Sequence, residues 1–168
     1  ISAYLLKIEK GTPFYKNRKT LNLPSQDESA DMYTYACNVL KQFGYNHYEI
    51  SNFALPGFES KHNLKYWNLD EYLGIGHSAH SLINNKRFYY PGDLNNFIFC
   101  TRILHEGEFE PEKEYVMLRL RLSEGLKNEG YKEYFGEDIP EVYFTKAEKY
   151  IESELIVCDK HSIRLTEK

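Results

Sequence analysis

A helix whose start is written into the sequence lies between two runs of β-forming residues. Ser25 and Glu28 stand three apart and form a capping box, in which the serine hydroxyl and the glutamate carboxylate each satisfy a backbone N–H of the first turn. Met32, Ala36, Val39, Leu40 and Phe43 follow at helical spacing, and Gly44 supplies the stop. Before the helix runs Ile1-Ser2-Ala3-Tyr4-Leu5-Leu6-Lys7-Ile8-Glu9, apolar enough to predict a strand buried on both faces. After it, Tyr45 to Ile50 reads as a second, shorter strand. Strand, helix and strand predict a βαβ unit with parallel strands, and so an α/β fold class, α+β over the whole chain. Functional groups of such units collect past the carboxyl ends of the strands, here Glu9-Lys10-Gly11-Thr12 and Ser51-Asn52-Phe53-Ala54.

The two ends of the chain share one character. It opens on the apolar run and closes on a β-like run, Ser162 to Lys168, without a polar tail, whereas ends are ordinarily exposed and mobile. The expectation is a segment of a longer chain. A net charge of −4 argues against a broad nucleic-acid footprint, and no apolar run is long enough to cross a membrane. Cys37, Cys100 and Cys158 are too widely spaced for a disulfide framework or a zinc or iron–sulfur pattern. They read as isolated core thiols in a reducing compartment, which points to the cytoplasm. Most unusual are 15 Tyr and 10 Phe in 168 residues, which predict hydroxyl tips held inside the fold or lining a cleft.

Residues 52–70 read as a long irregular stretch, too aromatic to be disordered. Tyr72 to Ile75 is predicted as a strand broken by Gly74-Ile75-Gly76. Ser81-Leu82-Ile83 and Arg87 to Tyr90 flank Asn84-Asn85-Lys86 as a hairpin. Asp93 caps a helix expected to reach about His105, before Gly107, and Pro111 starts another to about Ser123. From Gly125, two helical patterns (127–135 and 139–154) and a hairpin around Asp159-Lys160-His161 make a winged-helix-like module. Its many glutamates favour a packing role over a DNA-binding one. The divisions are thus 1–60, a linking segment 61–124, and 125–168.

Three groups of residues could carry chemistry. His77 and His80, three apart, could share a metal ion, but a third ligand such as His62 or Glu49 has no evident route to them. Glu9 and Glu49 could act as an acid/base pair, though pairing with Lys7 or Lys10 is the simpler account. His62-Asn63-Leu64-Lys65-Tyr66-Trp67, with Lys61 alongside, gathers an imidazole, an amide, two aromatic rings and two cations. The set suits a flat apolar ligand with acidic edges, with His to ligate iron and Lys to meet carboxylates. It equally suits an aromatic plug that pins a long loop. Leu73-Gly74-Ile75-Gly76 is not followed by a helix, so it is not read as a phosphate loop.

Taken in order, Tyr48-Glu49-Ile50-Ser51-Asn52-Phe53-Ala54, His62 to Trp67, Tyr72 to Gly76 and Ala79-His80-Ser81 resemble the radical S-adenosylmethionine family of oxygen-independent coproporphyrinogen III oxidase-like proteins. The opening Ile1 to Phe14 resembles a late barrel strand of that family, and Arg121 to Leu126 with the closing hairpin resembles its C-terminal domain. The resemblance implies the last part of a partial TIM-like barrel, then a mixed α/β, winged-helix-like domain. It implies S-adenosylmethionine and a 4Fe-4S cluster in the longer protein. The family's Cys-x3-Cys-x2-Cys triplet is absent from this chain, so no catalytic residue is expected in it. Ala54 and Leu118 are where the resemblance would bring S-adenosylmethionine close.

Within the family, His-Asn-x-x-Tyr-Trp is typical of haem chaperones rather than of oxidases that decarboxylate coproporphyrinogen. Haem binding at His62, Asn63, Tyr66 and Trp67 is therefore expected, with haem-accepting proteins as partners. A true oxidase is the first alternative, and a winged-helix binding module without catalysis is the second.

Overall fold

The computed structural model describes residues 1–99 and 103–166, which divide into two compact units, Ile1–Glu59 and Ser60–Lys168. Helix and sheet are mixed throughout.

In the first unit, Thr12 caps a short helix α1 (Pro13–Asn17), with proline at its start where no N–H is needed. The capping box of Ser25 and Glu28 forms as the sequence predicts and opens α2 (Gln26–Gln42). The packed side of α2 overlaps the expected one through Ala36, Val39 and Leu40. Met32 and Phe43 are exposed instead, and Ser29, Tyr33 and Cys37 complete the half-buried stripe. Tyr33 sets that face, since its hydroxyl lies 3.2 Å from Nε2 of His47 on the next strand. Gly44 comes next with φ +83, the left-handed conformation that ends the helix.

The expected parallel βαβ unit does not form. Strand β1 (Asn46–Glu49) turns back through Ile50 and Ser51 into β2 (Asn52–Ala54), and so tight a connection permits only antiparallel pairing. The opening apolar run is not a strand. It makes one antiparallel bridge, Ser2 to Asn52, with backbone bonds from the Ala3 N–H to the Ser51 carbonyl and from the Phe53 N–H to the Ile1 carbonyl. Tyr4, Leu5 and Leu6 find no ladder and are exposed.

In the second unit, residues 61–67 are not irregular. They form α3 (Lys61–Trp67), because the Ser60 hydroxyl accepts the Asn63 backbone N–H and caps the turn. The hairpin of β3 (His80–Ile83) and β4 (Lys86–Tyr89) forms as expected, with Asn84 and Asn85 both at positive φ in its turn. The predicted strand 72–75 reduces to one bridge between Tyr72 and Leu82. Asp93 caps α4 (Leu94–Ile98), which does not continue to residue 105. Leu104 and His105 are instead β5, the third strand of the sheet, paired to β4. Cys100 lies outside the described residues.

Helix α5 (Pro111–Arg119) begins at its proline as predicted. A two-residue strand β6 (Leu126–Lys127) leads into α6 (Asn128–Phe135) and α7 (Glu141–Glu148). The last two strands are β7 (Ile156–Asp159) and β8 (Ser162–Leu165), and the sheet order is β6–β8–β7. Helix α7 stops well short of residue 154. One core of Leu69, Leu82, Tyr115, Val116, Leu126, Tyr131, Ile139, Ala147 and Ile163 runs through this unit. Burying a large apolar side chain is worth roughly 1.5–3 kcal/mol. The aromatic surplus is spent here: Tyr115, Tyr131 and Phe135 lie ring against ring, and the buried Tyr131 hydroxyl donates to a Glu112 carboxylate at 3.0 Å.

Candidate functional site

Helical spacing sorts the motif into two faces. His62 and Tyr66, four apart, lie along one line of α3, and Asn63 and Trp67 lie along the next, about 100° round the helix. The His62 and Tyr66 rings meet edge to face, centroids 4.9 Å apart, and Nε2 of His62 lies 3.1 Å from the Tyr66 hydroxyl. His62, Lys61 and Lys65 are exposed, whereas Asn63, Tyr66 and Trp67 are half-buried. Tyr66 also abuts Tyr72, edge to face at 4.6 Å, so a single ring separates the imidazole from the interior.

Behind that ring is a cavity of about 280 Å³, lined by Tyr66, Trp67, Leu69, Asp70, Tyr72, Leu82, Arg87 and Leu118. Trp67 forms part of its wall, and the Arg121 guanidinium lies 4.3 Å from the centre of its ring. The Trp67 Nε1 is buried and has no acceptor among the described residues. Arg87 is held by Glu114, at 3.1 Å and 2.6 Å, and by the Tyr72 hydroxyl at 3.3 Å. Burial pushes the Tyr72 hydroxyl above its ordinary ionisation range, against the pull of Arg87. Behind the helix, Arg119 bonds Glu124 and Asn68, the residue that caps the C-terminus of α3.

The other candidates do not join this site. Nδ1 of His80 pairs with Glu106 at 2.6 Å and its ring stacks on Tyr89, while His77 is exposed in the turn before it. Among the described residues no three of His, Cys, Asp or Glu are placed to hold a metal ion. Glu9 pairs with Lys7 at 2.9 Å, whereas Glu49 is fully buried and accepts from the Ser51 N–H and the Asn52 side chain. Gly74 packs against the His80 carbonyl so closely that a Cβ there would lie 2.2 Å from the oxygen, so its place in the sequence answers a packing need. Ala54 is buried in the first unit and Leu118 lies in the second.

Among the described residues the donor set does not fit an iron–sulfur cluster. Cys37 and Cys158 are half-buried thiols in different units, and burial, with Asp159 beside it, pushes the Cys158 thiol up, away from the thiolate a cluster needs. Sequence reasoning missed the cavity residues Leu69, Asp70, Tyr72, Leu82 and Arg87. The available signal was the adjacency of Tyr66 and Trp67 at the end of a helix, which turns both rings toward the segment beginning at Leu69.

Residues 111–168 match the HemN C-terminal domain. In fold, the chain is similar to a solved structure described as coproporphyrinogen III oxidase (HemN) from Escherichia coli, a radical SAM enzyme. The TM-score is 0.63 at 19% identity, over 92% of this chain and 42% of that one. The fold is therefore similar to the matching part of that HemN structure. In sequence, the chain is 35% identical to the heme chaperone HemW of Lactococcus lactis, over 100% of this chain and 46% of the relative. It is 33% identical to that of Bacillus subtilis, over 98% and 46%. A mitochondrial radical S-adenosyl methionine domain-containing protein 1 of Danio rerio is 40% identical over 55% of this chain and 20% of the relative. The chain belongs to the radical S-adenosylmethionine family of oxygen-independent coproporphyrinogen III oxidase-like proteins. It spans about half the length of the curated relatives it matches. Among the described residues no helix is long and apolar enough to cross a membrane.

Proposed function

We propose that this chain contributes the haem-binding part of a cytoplasmic haem chaperone. The observation that carries the reading is the exposed imidazole of His62 at the head of α3, set edge-on to Tyr66 and flanked by Lys61 and Lys65. The chaperone names of the relatives from L. lactis and B. subtilis support it. His62 offers the iron ligand. The Tyr66 hydroxyl holds Nε2 until the metal displaces it, and the two lysines meet the carboxylates at the rim. Asn63 keeps the helix start closed through its bond to Ser60. Trp67, held by Arg121, gives the ligand a rigid wall.

In this reading S-adenosylmethionine and a 4Fe-4S cluster belong to the longer protein, with Ala54 near the former, and Leu118 is assigned to the cavity wall. Haem delivered from the site would pass to haem-accepting proteins. The test is a titration of the purified chain with ferric haem, followed by absorbance, beside His62→Ala. A Soret shift that is lost in the variant is the expected result. An unchanged shift in His62→Ala, or no shift in either protein, overturns the assignment.

A further inference from the structure

The cavity behind Tyr66, about 280 Å³, lies at the small end of ligand pockets and cannot enclose a whole tetrapyrrole. It therefore suits part of a larger ligand, and its chemistry says which part. Leu69, Leu82 and Leu118 with the Tyr66, Trp67 and Tyr72 rings make most of the wall. Its one cation, Arg87, is bound to Glu114 by two donors and to Tyr72 by a third, which leaves Asp70 as the uncompensated charge of the lining. An anion entering here would have to displace Glu114 and sit beside Asp70. The neighbourhood is negative more broadly: burial first, and then Asp70, Glu71 and Glu114, push the Tyr134 hydroxyl above its ordinary range. The exposed Lys61 and Lys65, on either side of His62 in the sequence of α3, offer positive charge outside the cavity lining.

We infer that this cavity receives the vinyl-bearing edge of protohaem while its propionates stay outside at the lysines. The site thereby selects a tetrapyrrole with a carboxylate-free edge over one that carries a propionate on every ring. The inference rests on the haem-binding reading above. It makes Asp70 and Leu118 specificity-determining residues. It also separates a haem carrier from a protein whose ligand is a coproporphyrin, because the two positions that carry vinyls in protohaem carry propionates in that tetracarboxylate and would bring charge to Asp70.

The experiment titrates the purified protein with ferric protohaem, with ferric deuterohaem (hydrogen in place of each vinyl) and with ferric coproporphyrin III. Deuterohaem should bind about tenfold or more weakly than protohaem, as expected for missing carbons in an apolar pocket. Ferric coproporphyrin III should bind more weakly still, and Asp70→Asn, at an exposed position, should narrow the gap between it and protohaem. Leu118→Trp, which fills the cavity, should erase the difference between protohaem and deuterohaem. The comparison of ligands on the unaltered protein stands even if that variant does not fold. Equal affinity for all three ligands, each dependent on His62, overturns the cavity assignment and leaves the haem reading intact. Binding that ignores His62, or no binding of protohaem, overturns the haem reading and the inference with it.

Discussion

The Tyr66 hydroxyl lies 3.1 Å from Nε2 of His62, one helical turn away, so the ring nitrogen that would meet a metal is already engaged. Removing that hydrogen bond should make the nitrogen easier to reach. Net hydrogen-bond contributions are about 1 kcal/mol, so Tyr66→Phe should bind ferric haem about fivefold tighter, read as a shift of the absorbance titration curve. An unchanged affinity would show that the bond is not in competition with the ligand.

Arg119 reaches from α5 to the Asn68 side chain and the Glu124 carboxylate, with most of its own side chain buried. Arg119→Ala strands the Asn68 side chain, leaves Glu124 to Lys127 alone and removes a strut behind the motif helix. A loss of about 1–2 kcal/mol is expected from the urea midpoint at constant m-value. A change under about 0.5 kcal/mol would mean that water replaces the guanidinium at no cost.

Gly125 has φ +72, and a Cβ there would lie 2.4 Å from the Ile163 carbonyl oxygen. Gly125→Ala should therefore destabilise the second unit by more than about 1 kcal/mol, while Gly136→Ala, whose Cβ would meet nothing within 4 Å, should cost less despite its φ of +80. Thermal melts of the two variants side by side decide it, and equal shifts would mean that the crowding at Gly125 relaxes away.

Burial holds the hydroxyls of Tyr72, Tyr115, Tyr131, Tyr134 and Tyr143 above the ordinary tyrosine value of 10.0. Each folded value is raised, so each contributes stability that is fully present below about pH 10 and is lost as pH climbs through the folded values. Alkaline titration should show the ionisation of these five delayed beyond that ordinary value. This later, cooperative step should coincide with loss of the far-ultraviolet signal. A single smooth titration without unfolding would contradict the burial argument.

How far the sequence could be read depended on how local the cause was. The Ser25–Glu28 cap, the Asp93 cap, Pro111 and the Asn84-Asn85 turn act within a few residues, and each stands where the sequence puts it. The opening run failed because a strand needs a partner, and only the backbone up to Ala3 finds one at residues 51–53. Residues 61–67 were misread because aromatic density masked a helix whose only strong local signal is the Ser60 hydroxyl. At the site, His62 through Trp67 was legible as a motif. The cavity was not, because Leu82, Arg87 and Leu118 reach it from three other elements.

Strand β8 lies between β6 and β7, although it is the last of the three in the chain. It carries Ile163, which is buried against Leu126 on one side and pairs with Cys158 on the other. During synthesis, then, β6 and β7 leave the ribosome with no strand between them. The segment from Leu126 to Asp159 must wait, its apolar faces uncovered, until residues 162–165 have cleared the exit tunnel. The second unit is thus obliged to close after translation of its final strand rather than along the way, and a ribosome that stalls a few codons short of Ile163 leaves a substrate for chaperones and proteases.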